Sequence, residues 1–232
     1  MVVVGGNLRI GVLGGIGPEA TGEYYLKLIK GLQQTGLIKN NSDFPQIIVN
    51  SIPAPELVGE ISAEQLKPYK TGIRELDKYN VDVIVIVCNT LYLYYDELQS
   101  EVKTHIMDLR QEVKKRLIDK DIKRTIVLGT PSTIRKGLYK FDGIEYVNVS
   151  DQDIDQLSTS IFSYNKGKNK LLQKQLVERI ARKYVDSGAE IIIIGCTELA
   201  VMLKDVNIPK IDTIDVLVEG TIEFIEEFGS KK

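Results

Sequence analysis

Short runs of β-branched and other apolar residues alternate along this chain with longer stretches whose apolar positions recur every three or four residues. The first pattern fits strands and the second amphipathic helices, and their alternation predicts parallel βαβ units. Residues 8–13 read as a first strand and 18–32 as a helix, with Tyr24, Tyr25, Leu28, Ile29 and Leu32 at helical spacing. A second strand is expected over 47–52. A helix over 62–79 follows, opened by Ser62 with Gln65 at the capping-box position, and then a third strand over 81–87. In the second half, strands are expected over 122–128, 145–149 and 190–194, a helix begins in 132–139, and a long helix covers 171–187. These strands are apolar at nearly every position, so both faces of each sheet should be covered.

The second half also echoes the first. Arg9-Ile-Gly-Val-Leu-Gly-Gly lies against Arg124-Thr-Ile-Val-Leu-Gly-Thr, and Asn80-Val-Asp-Val-Ile-Val-Ile-Val-Cys-Asn-Thr against Gly188-Ala-Glu-Ile-Ile-Ile-Ile-Gly-Cys-Thr. After each cysteine come a helical stretch and a short segment ending in aspartate, His105-Ile-Met-Asp108 and Pro209-Lys-Ile-Asp212. The expected organisation is two similar α/β lobes, residues 1–104 plus 213–232 and residues 105–212. Cys88 and Cys196 then occupy equivalent strand ends, where open α/β sheets bind ligands, and facing lobes would place one on each wall of a cleft.

Composition narrows the chemistry. The chain has 232 residues, 43% of them apolar, and a formal charge of −2. No like-charge block exceeds the Lys168–Lys170 segment, so neither nucleic acid nor an acidic membrane is an expected partner. The terminus Met1-Val-Val-Val-Gly-Gly-Asn lacks a secretory pattern, and the apolar runs 83–87 and 191–194 are far shorter than the ~18 residues of a membrane span. A cytoplasmic protein with reduced thiols is expected. With two cysteines, one histidine and no tryptophan, a disulfide scaffold and a four-ligand zinc site are excluded, and any imidazole mechanism depends on His105 alone.

The loop Gly14-Gly15-Ile16-Gly17-Pro18-Glu19-Ala20 follows a strand and opens a helix. Gly15-x-Gly17-x-x-Ala20 formally satisfies a dinucleotide fingerprint, but Pro18 sits inside it and the second strand ends Asn50-Ser51 with no carboxylate for a ribose. No Gly-Lys-Ser/Thr of a phosphate loop is present, so no nucleotide cofactor is expected. Pro18 fits the first helical turn, and the loop should offer N–H groups and a helix dipole to a small anion such as a carboxylate. At each cysteine the chain turns from apolar to hydrogen-bonding residues, Asn89-Thr90 and Thr197-Glu198. Such polar groups and helix N–H donors can stabilise a thiolate. Two thiols facing each other across a planar carbanion suit two-base proton transfer.

These motifs resemble the cofactor-independent aspartate/glutamate racemase superfamily, and within it the aspartate racemase branch. The resemblance runs through Ile10-Gly-Val-Leu-Gly-Gly-Ile-Gly-Pro-Glu-Ala-Thr21, Cys88-Asn-Thr90, Leu128-Gly-Thr-Pro-Ser-Thr-Ile134 with Gly137-Leu-Tyr139, Gly195-Cys-Thr-Glu-Leu199 and Ile208-Pro-Lys-Ile-Asp212. It implies three-layer lobes with mainly parallel sheets related by pseudo-twofold symmetry, an active site between them, no pyridoxal phosphate, and a homodimer. It also implies that Cys88 and Cys196 are opposed catalytic bases in an amino-acid racemase. Gly15, Gly17, Asn89, Thr90, Thr130, Thr133, Thr197 and Glu198 would surround the substrate, with Lys166 reaching it. Glu198 stands where the glutamate racemase branch has histidine.

Two positions depart from the branch. Tyr92 stands where a histidine usually follows the first cysteine, and Pro55-Glu56-Leu57 aligns with a Pro-Asp-Arg whose arginine serves the substrate's distal carboxylate. Leucine cannot make that bidentate contact. The substrate expected is therefore an amino acid other than aspartate, with a less charged side chain. A relative acting on a hydantoin or another carboxylate, or a silent carboxylate binder, is the alternative. Tyr92, Tyr94 and Tyr95 are expected to pack, His105 to lie at the surface or a hinge, and Asp108 and Asp212 to hydrogen-bond where the chain crosses between lobes.

Overall fold

The computed structural model describes residues 8–53, 55–57 and 59–230. In the first lobe, β1 (Arg9–Gly14) leads into α1 (Pro18–Gln34), β2 (Gln46–Ser51), α2 (Ala63–Lys78) and β3 (Val83–Ile86). The strands are parallel in the order β2-β1-β3. The expected capping box forms at α2: Ser62 Oγ accepts the Gln65 N–H at 3.3 Å and Gln65 Oε1 accepts the Ser62 N–H at 2.9 Å.

Beyond β3 the chain passes through a 3-10 turn (Thr90–Tyr94), α3 (Tyr95–Gln99) and α4 (Leu109–Asp119). Between α3 and α4, Ile106 bridges Ile84 in parallel; Ile84 N–H donates to the His105 carbonyl and Met107 N–H to the Ile84 carbonyl, each at 2.9 Å. Residues 105–107 therefore add a fourth position to the first sheet. The second lobe has β4 (Arg124–Gly129), α5 (Pro131–Arg135), β5 (Glu145–Tyr146), α6 (Asp151–Asn165), α7 (Lys170–Asp186), β6 (Ile191–Gly195), α8 (Thr197–Leu203) and β7 (Lys210–Asp212). Its sheet is parallel with order β5-β4-β6-β7. Placing β4 on β1, β5 on β2, β6 on β3 and β7 on residues 105–107 gives one topology twice, as the internal repeat predicts.

The last helix, α9 (Thr213–Ser230), packs on α1 and α4. Its start is tied down by Asp212, whose Oδ1 accepts the Ile214 N–H at 2.8 Å and whose Oδ2 lies 3.3 Å from Lys27 of α1. Asp108 plays the matching part at α4, accepting the Arg110 N–H at 3.0 Å. Both aspartates thus cap helices where the chain changes direction. The central strands are buried on both faces: Val83–Ile86 and Ile192–Ile194 are 0% exposed. Among the described residues, no helix is long and apolar enough to cross a membrane.

Candidate active site

Strands β1, β3, β4 and β6 all end toward the same place, and the residues after them line a cavity of about 120 Å³. From β1 come Gly15, Ile16, Gly17 and Pro18; from β3, Cys88, Asn89 and Thr90; from β4, Thr130; from β6, Cys196, Thr197 and Glu198. The β2–α2 segment adds Pro55, Glu56 and Leu57, and α6 adds Ile161, Phe162 and Asn165. That volume suits a molecule of a few non-hydrogen atoms rather than a nucleotide.

Two glycines make this convergence possible. Gly15 has φ +89°, and a Cβ there would overlap the Ile52 carbonyl. At Gly17 a Cβ would fall 2.6 Å from Glu198 Oε1 of the opposite lobe, so the lobes meet across a residue with no side chain.

Glu198, 7% exposed, is the hub of the site. Its Oε1 accepts the Gly17 N–H at 3.1 Å and Asn165 Nδ2 at 2.9 Å, while its Oε2 accepts the Cys196 thiol at 2.9 Å and the Thr197 hydroxyl at 3.2 Å. The Gly15 N–H in turn donates to Thr21 Oγ1 at 3.0 Å. This corrects the expectation that the loop holds these donors ready for an anion: both glycine N–H groups already have partners in the protein.

The thiols are 6% and 4% exposed. Burial, and after it the Glu198 carboxylate, pushes Cys88 up to about 12, against the pull of the Leu91 and Thr90 N–H groups. Cys196 is raised well above the ordinary thiol range by the same burial and by Glu198, which accepts its proton's hydrogen bond. The polar turns can stabilise a thiolate, but desolvation outweighs them and favours the protonated form of both sulfurs.

Among the other expected residues, Thr90, Thr130 and Thr133 form a triangle of hydroxyls spanning the lobes, with Thr90 Oγ1 3.0 Å from Thr130 and 3.4 Å from Thr133. Thr133 stands behind Thr130 and does not line the cavity. Nor does Lys166, which follows α6 and meets the lining residue Glu56 at 3.2 Å. Tyr92 is buried, with its hydroxyl donating to the Ile86 carbonyl and its ring stacked on Tyr95; neither they nor Tyr94 line the cavity. His105 is exposed. Ile161, Phe162 and Asn165 line the cavity from α6, a helix not among those expected from the sequence. The signals were Ser150 as cap, its hydroxyl accepting the Asp153 N–H at 3.2 Å, and Ile154, Leu157, Ile161 and Tyr164 at helical spacing.

The lining holds two carboxylates, two thiols, several hydroxyls and an apolar wall of Ile16, Pro18, Pro55, Leu57, Ile161 and Phe162, and no cation among the described residues. Such a site can bind a small polar molecule with an apolar part and move protons at it.

Residues 13–221 match the model of the Asp/Glu/hydantoin racemase family. The broad specificity amino-acid racemase RacX of Bacillus subtilis is 30% identical over 223 residues, covering 92% of this chain and 96% of that protein. The fold is that of Picrophilus torridus aspartate racemase (TM-score 0.77, 22% identity, 95% of each chain). It is also that of a Francisella tularensis glutamate racemase (TM-score 0.65, 19% identity, 95% of this chain and 82% of that one). A two-lobed α/β chain with this cavity, matched over nearly all its length, belongs to the Asp/Glu/hydantoin racemase family.

Proposed function

We propose that the protein interconverts the enantiomers of an α-amino acid by two-base proton transfer between Cys88 and Cys196. The observation that carries this reading is that two buried thiols, from equivalent strand ends of two sheets, line one small cavity. One sulfur removes the α-proton as thiolate, and the other, as thiol, delivers a proton to the opposite face of the planar carbanion. The reaction exchanges only protons and needs no electron acceptor.

The resting thiols must first lose one proton. Cys196 has an acceptor in place, since its S–H already points at Glu198 Oε2. Cys88 instead has the Thr90 and Leu91 N–H groups to stabilise its thiolate. The hydroxyl of Thr90 and the second amide proton of Asn165 serve the substrate's α-carboxylate, with Thr130 and Thr197 lining the cavity beside them, and the carboxylates of Glu56 and Glu198 serve its ammonium group. A distal carboxylate on the substrate would meet Glu56 and Leu57 and no lining cation, which favours a side chain without negative charge.

The test is a panel of L-amino acids in D2O, followed for α-deuterium and loss of optical activity. Neutral amino acids should racemise faster than aspartate and glutamate; the reverse order overturns the substrate class. Cys88→Ala and Cys196→Ala should each abolish racemisation, and full activity in either rules out the two-base scheme.

A further inference from the structure

Asn89, the residue after Cys88, is 1% exposed, and both ends of its amide are in use. Its Oδ1 accepts the hydroxyl of Tyr139 from the second lobe, and its Nδ2 donates to Thr213 Oγ1 at 3.0 Å. Thr213 donates its one hydroxyl proton to the Ile194 carbonyl at 2.8 Å, so toward Asn89 it can only accept. The amide's orientation is thereby fixed. A directed chain of three hydrogen bonds leads from Tyr139 through the residue beside one thiol to the strand that ends in the other. Tyr139 and Thr213 are 0% exposed, and neither lines the cavity.

We infer that Tyr139 is a positioning residue for proton transfer, holding the register of the two lobes so that Cys88 and Cys196 stay on opposite faces of the substrate's α-carbon. The inference rests on the racemase reading above. Inversion requires that the second thiol be in reach when the carbanion forms. When it is not, the first thiol returns a proton to the face it came from, and exchange with solvent then labels the substrate without inverting it. Removing the Tyr139 hydroxyl leaves Asn89 Oδ1 buried without its donor and frees the Cys88 turn to shift.

The experiment compares wild-type protein with Tyr139→Phe and Thr213→Val in D2O, using the amino acid that wild type turns over fastest. For Tyr139→Phe, kcat should fall about tenfold or more, the loss expected from sub-ångström misplacement of a reacting group, with KM within about twofold. The ratio of deuterium gained with retention to deuterium gained with inversion should rise, and Thr213→Val should move it the same way. In a parallel arm without substrate, iodoacetamide labelling read by peptide mass spectrometry should speed up at Cys88 relative to Cys196. A lower kcat with unchanged ratio and unchanged labelling means a merely structural tyrosine and overturns the inference. A wild-type protein inert toward every amino acid overturns the racemase reading instead, and the labelling arm still decides whether Tyr139 positions Cys88.

Discussion

Cys88 and Cys196 occupy equivalent strand ends and both sulfurs meet backbone N–H donors, yet Cys196 alone also has a carboxylate acceptor, Glu198, for its thiol proton. The repeat in the sequence made the pair legible. The asymmetry was not, because Glu198 becomes a partner of Cys196 only when the helix after it turns the carboxylate back onto the thiol. Replacing Glu198 with Gln removes both the acceptor for the Cys196 proton and the negative charge that raises both thiols. We expect racemisation to fall by about 10²- to 10⁴-fold, the usual worth of an acid–base group, while the thiolate absorbance of Cys88 develops at lower pH than in wild type. A variant that racemises normally removes Glu198 from the mechanism. The raised thiols also make stability pH-dependent. Below the ordinary thiol pKa of 9.0 both the folded and the unfolded chain keep the proton; above it only the folded chain does, so unfolding gains. The thermal midpoint should therefore fall as pH rises from about 9 toward 12, less steeply in Cys88→Ala.

At the scale of elements, continuity of apolar residues was a reliable guide for the central strands and a poor one at the edges. Residues 145–149 read as a strand, but only Glu145–Tyr146 pair with β4. A β-branched run marks capacity for a strand, and whether an edge position is used depends on the neighbour's register. Likewise α5 stops at Arg135, where the Leu138 N–H turns back to the Thr133 carbonyl at 3.2 Å, short of the expected span. The best-supported element is β6. Ile193 is 0% exposed between β4 and β7, and Ile193→Ala should cost roughly 2–5 kcal/mol in denaturant unfolding, the range for a buried large-to-small change. Ser62→Ala, which removes the α2 cap at the surface, should cost only about 0.5–2 kcal/mol.

Across the whole molecule, the lobes are joined by buried polar contacts and by exposed ion pairs, and the two differ in energetic weight. The Lys166–Glu56 pair is 53% and 43% exposed, so Lys166→Ala should lower stability by no more than about 1 kcal/mol and shift the melting midpoint by under about 4 °C. If Lys166 nonetheless reaches substrate, as the family resemblance implies, KM should rise while kcat holds; an unchanged KM removes it from the binding site. The sequence by itself determined the alternation of strands and helices, the duplicated lobe and the matched placement of two cysteines, because these depend on the period and spacing of residues along one chain. Tertiary structure alone decided that Glu198 of one lobe holds Cys196 and closes over Gly17 of the other, that Asn165 and Phe162 complete the wall, and that desolvation favours the protonated form of both thiols. Burial and cross-lobe hydrogen bonds arise from groups brought together by folding, and no local pattern in the chain encodes how much water their meeting excludes.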